Sequence, residues 1–176
     1  MGKVQLVGIP HFALKPRPTG ILYLGMPRPY RADCSKFGGK FWHGRSTEVG
    51  PCMTVQVFDY YQSENVYGDY LVLAFLDTDR AVSLLVLRGE SEREFRDFLY
   101  QLEVSGPENQ AIALDALKLT LGFEERSLGT GDVYHTVVVQ LVEFVSEQAL
   151  EDIRKFVQSG RFMLSSFPVE QVGHDE

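Results

Sequence analysis

The chain has 176 residues, 44% of them hydrophobic and 23% charged, with a formal net charge of −7. That length suits one globular domain, and the composition excludes a fibrous or wholly disordered chain. Residues 1–48 carry eight basic and two acidic side chains, a net of +6, whereas the other 128 carry nine basic and 22 acidic, a net of −13. An acidic total excludes a uniformly basic nucleic-acid binder but leaves room for a cationic segment on an acidic body.

In chain order, the first twenty residues lack an apolar run fit for a secretory signal, and Pro10, Pro16 and Pro18 interrupt any helix there. Residues 1–50 hold eight of the 16 glycines and read as a basic, Gly/Pro-rich strand-and-loop segment of the same domain. Within it Lys3–Val7 and Ile21–Met26 are expected as short strands and Arg31–Gly50 as a long cationic loop. Residues 51–168 are expected to form an α+β core and 169–176 a flexible tail.

Cys52–Phe58 alternates as a strand does. Tyr70–Leu76 and Ala81–Leu87 predict a central antiparallel hairpin around Asp77-Thr78-Asp79-Arg80. Leu71–Leu76 is the longest strictly apolar run, far short of the ~20 residues that cross a bilayer. Ser91-x-x-Glu94 reads as a capping box opening a helix, with Phe95, Phe98, Leu99 and Leu102 inward and a Glu92–Arg96 pair on the solvent side. Pro107 then predicts a second helix over Glu108–Leu121. Val133–Val145 is a strand long enough to need a bend or bulge. Ser146 predicts the cap of a third helix with Ile153 and Phe156 inward, and Phe162–Phe167 a final strand. The order implies an α+β single domain: a mostly antiparallel sheet with about three helices packed on one face.

Four histidines and two cysteines are the first places to look for chemistry. Cys34, His43 and Cys52 follow C-x8-H-x8-C, which matches no tight structural zinc spacing. Neither a metal nor another cofactor is expected. With no export signal, the chain reads as cytoplasmic, without membrane contact, and with both thiols reduced. His11-Phe12-Ala13-Leu14-Lys15 resembles the first metal-binding strand of the glyoxalase-type enzymes over five residues; Pro16-Arg17-Pro18 stands where that family's helix would follow, and no family is assigned. His11, His43, His135 and Cys34 are the candidates for acid, base or nucleophile.

The densest functional signal is Arg28–Arg45. Arg28, Arg31, Lys36, Lys40 and Arg45 are interleaved there with Tyr30, Phe37, Phe41 and Trp42. Cations with aromatic rings suit an acidic protein partner, where Trp, Tyr and Arg anchor interfaces. They also suit single-stranded nucleic acid, where rings stack on bases, or burial against the chain's own acidic body. The expected function is a non-enzymatic interaction or adaptor protein using this segment, with a protein partner favoured over nucleic acid and a homodimer open to it. The competing reading is a small hydrolase or transferase for a phosphate-bearing substrate with a His/Cys-containing cleft.

Overall fold

The structure, a computed structural model, describes residues 20–66, 68–106 and 110–167. Eight strands make one sheet: β1 (Arg28–Asp33), β2 (Lys40–His43), β3 (Thr47–Gly50), β4 (Met53–Asn65), β5 (Gly68–Leu76), β6 (Val82–Arg88), β7 (Leu117–Ser127) and β8 (Val133–Phe144). Their spatial order is β3-β2-β1-β6-β5-β4-β7-β8. β1 and β6 run parallel and every other neighbouring pair is antiparallel. Helix α1 (Gly89–Val104) follows β6, and α2 (Glu147–Gln158) follows β8.

β5 shows why the sheet takes a helix on each side. Leu71, Leu73 and Phe75 enter one buried cluster together with Phe95 and Leu102 of α1. The alternate residues Tyr70, Val72, Ala74 and Leu76 enter a second cluster with Ile153 and Phe156 of α2. A strand buried on both faces is apolar throughout. Three irregularities curl the sheet, as bulges do: β4 slips register at Phe58, β8 places Gln140 outside its pairing with β7, and β3 places Val49 outside its pairing with β2. The curl brings Phe41 of β2 against Phe123 of β7, ring centroids 4.5 Å apart.

Several sequence expectations need correction. Among the described residues the α-helices number two, on opposite faces of the sheet, rather than three on one face, and the sheet is mixed, β1 and β6 being its parallel pair. Residues 117–121 of the expected second helix belong to β7, where Leu117, Leu119 and Leu121 are buried while Lys118 is exposed; the run has period two, which an almost wholly apolar segment conceals. Residues 31–50 are not a long loop. They form the end of β1 and all of β2 and β3, because Tyr30, Ala32 and Phe41 alternate towards the inner core. Ile21–Met26 contributes only a single parallel bridge, Leu22 to Ala81, and Phe162–Phe167 holds a 3₁₀ turn instead of a strand.

The capping box is not made either. α1 starts two residues early at Gly89, and the Ser91 hydroxyl accepts from the Val137 N–H of β8 at 2.9 Å. Glu92 pairs with Arg96 as expected, yet it is buried, its carboxylate also accepting from Gln62. Three expectations agree with the structure: the β5–β6 hairpin, the break in β8, and Ser146 capping α2 by accepting from the Ala149 N–H at 3.2 Å. Lys3–Val7, the string at His11, Pro107 and the tail lie outside the described residues.

Candidate functional site

β1 divides the basic, aromatic segment in two. Its inward residues Arg28 and Tyr30 converge on Asp77, at the β5–β6 turn. Arg28 binds Asp77 at 3.0 Å and Asp79 at 2.8 Å, and the Tyr30 hydroxyl donates to Asp77 at 3.0 Å. Ser83 and the backbone N–H groups of Asp79 and Ala81 also donate to the buried Asp77. The Asp79 hydrogen bond raises Arg28 above the usual guanidinium range; burial, then the Asp77 charge, raises Tyr30. Phe41, fully buried, completes this inward set. These three side chains are engaged within the fold.

The outward set is arranged differently. Arg31 and Trp42 are direct cross-strand partners, as are Trp42 and Glu48. The Arg31 guanidinium carbon lies 5.1 Å from the Trp42 ring centroid and the Lys40 ammonium 5.5 Å from it, both within cation–π range. Lys40 also binds Glu48 at 2.9 Å, and Arg31 donates to the Arg45 carbonyl at 3.4 Å. At the β1–β2 turn, Lys36 sits 5.8 Å from the ring of Phe37, which is 87% exposed. On this side of β1–β2–β3 Arg31 and Lys40 therefore stand at one half-buried indole, with Lys36 and Phe37 exposed at the β1–β2 turn and Arg45 exposed at the β2–β3 turn.

The catalytic candidates scatter. The His43 ring stands 5.0 Å from Tyr30, and His135 directs Nδ1 to the Ser35 carbonyl at 2.8 Å. Cys34 shares the corner with His135, because its carbonyl accepts from the His135 N–H, but its thiol faces Ser91 at 3.7 Å. Gly39 sits so close to His135 that a Cβ would come within 2.8 Å of the ring, and its φ of +76° suits only glycine. Burial pushes the Cys34 thiol up, the opposite of what activates a nucleophilic cysteine. Both cysteines are free; Cys52 is exposed. His11 and His174 lie outside the described residues.

Asp77 was missed from sequence as the residue that immobilises Arg28 and Tyr30, although an Asp opening an Asx-type turn is a readable signal. Among the described residues no group of three or more His, Cys, Asp or Glu side chains is placed to hold a metal ion, and no helix is long and apolar enough to cross a membrane. No known protein family, curated protein or solved structure matches this chain.

Proposed function

We propose that this protein is a non-enzymatic interaction protein whose outward β1–β2–β3 face takes an acidic segment of a protein partner. The carrying observation is the cross-strand cluster in which Arg31 and Lys40 both stand over Trp42. Such a cluster offers an aromatic anchor with cations already positioned round it, the residue types that dominate interface energetics. A protein is favoured over nucleic acid because the indole is faced by two cations, so a stacking base would have to displace them. The test replaces Arg31, Lys36, Lys40 and Arg45 by Ala and compares partner capture with wild type, before and after nuclease treatment. The reading requires capture that survives nuclease and falls at least about tenfold in the variant. Nuclease-sensitive capture would transfer the face to nucleic acid; capture unchanged in the variant would remove the face from the function altogether.

A further inference from the structure

Where β1 and β6 part, the sheet contains a cleft. Their parallel ladder runs only from Arg28–Ser83 to Tyr30–Leu85, although β1 continues to Asp33 and β6 to Arg88. Two anchors separate them. The end of β1 is tied to β8 through the Cys34 carbonyl, which accepts from the His135 N–H at 2.9 Å. β6 instead turns into α1 at Gly89, whose φ of +57° glycine adopts without strain. The opening measures about 290 Å³, near the lower bound of small-ligand sites.

Its walls mix apolar, thiol, hydroxyl and guanidinium groups. The carbonyls of Pro29 and Asp33 are turned to β2, where they accept from Gly44 and Gly39. Strand alternation therefore turns the backbone of Ala32 towards β6, beyond the last ladder pair. Val86 lines the outer side opposite, and Leu87, almost wholly buried on the other face of β6, lines the inner end with the Cys34 thiol and Ser91 hydroxyl. Arg31 and Arg88 also line the cleft; the Arg31 guanidinium is turned to Trp42 and the Arg45 carbonyl, whereas Arg88 makes no ion pair among the described residues. A larger groove of about 520 Å³ beside the start of α2 lacks this property. There Arg80 is paired with Asp152, Lys118 with Glu143, and both Asp77 and Asp79 with Arg28.

We propose that the β1–β6 cleft binds a small organic anion, a body of a few carbons bearing one carboxylate or phosphate. Arg88 holds the head, since a guanidinium fork matches either group, and Val86 covers the body. The site lies at the carboxyl ends of two parallel strands whose chains leave in different directions, the position where open sheets place ligands. It does not depend on the outward face being a partner surface.

The two free cysteines supply the test, one lining the cleft and the other exposed elsewhere. The full chain is alkylated with iodoacetamide while hexanoate, hexyl phosphate, acetate or hexanol is titrated, and each cysteine is followed by mass spectrometry. Hexanoate or hexyl phosphate is expected to slow Cys34 saturably and leave Cys52 unchanged, the stronger of the two identifying the head group; acetate and hexanol should be far weaker. Arg88→Gln, at an exposed position, should raise the half-protecting concentration about tenfold. Amide NMR shifts at Ala32, Val86 and Leu87 give a second readout that needs no thiol reactivity. Failure of both anions to move those amides, equal protection of the two cysteines, or an unaltered response in Arg88→Gln would overturn the site. Because Arg88 is outside the Trp42 cluster, its variant leaves the outward face as a separate question.

Discussion

Two regions built from the same residue types behave in opposite ways. At the Asp77 corner, an arginine and a tyrosine are held inward by one buried carboxylate that accepts from five donors. One residue further along the same strand, Arg31 points the other way, to a tryptophan and a neighbouring lysine. A net charge of +6 over residues 1–48 does not separate these populations. The period-two alternation of a strand does, because it decides which cations meet the acidic body and which meet solvent.

The comparison can be broken at its strongest point first. Asp77→Ala removes the acceptor while leaving Arg28, the Tyr30 and Ser83 hydroxyls and two backbone N–H groups in place, which is expected to cost about 3–5 kcal/mol in urea unfolding. A loss below about 1 kcal/mol would show that the corner is solvated and that the contrast is false. Phe41→Ala, at a fully buried position packed on Phe123, should cost about 3–5 kcal/mol by cavity formation. If Phe41 instead proved neutral to stability but needed for partner capture, it would move from the core to the outward set.

Smaller effects sharpen the other half. Glu48→Gln deletes the surface pair with Lys40, and stability should change by no more than about 1 kcal/mol. Asp33 gives a pH test. Hydrogen bonding from Ser35 holds its carboxyl below the ordinary range, so its contribution to stability is present above that range and fades as pH falls through the lowered folded value. Asp33→Asn should therefore differ from wild type at neutral pH and converge with it in acid. A difference that persists at low pH would locate the effect in the turn geometry and not in the charge.

Much of the sheet was legible because its signals are local. The β5–β6 hairpin follows from two apolar runs round an Asp/Thr turn, and α2 from a serine with apolar residues at helical spacing. β7 was not, because Ala111–Leu121 is apolar at nearly every position and satisfies two periods at once. Ser91 misled for a related reason: a capping pattern is also a pair of polar side chains, and this serine receives a β8 N–H instead. The candidate site was half legible. Composition located the right stretch of chain, but separating Arg28, Tyr30 and Phe41 from Arg31, Lys40 and Trp42 required knowing that residues 31–50 are strands. The β1–β6 cleft left no trace in sequence, since it arises where strands some fifty residues apart run parallel and then diverge.

The most direct test of the outward face joins stability and binding in one variant. Arg31, Lys36, Lys40 and Arg45 are replaced together by Ala, and urea unfolding is measured beside capture of the nuclease-resistant partner. The expected result is a stability within about 1 kcal/mol of wild type and capture reduced at least about tenfold. Full capture by the equally stable variant would contradict the assignment of this face to partner binding.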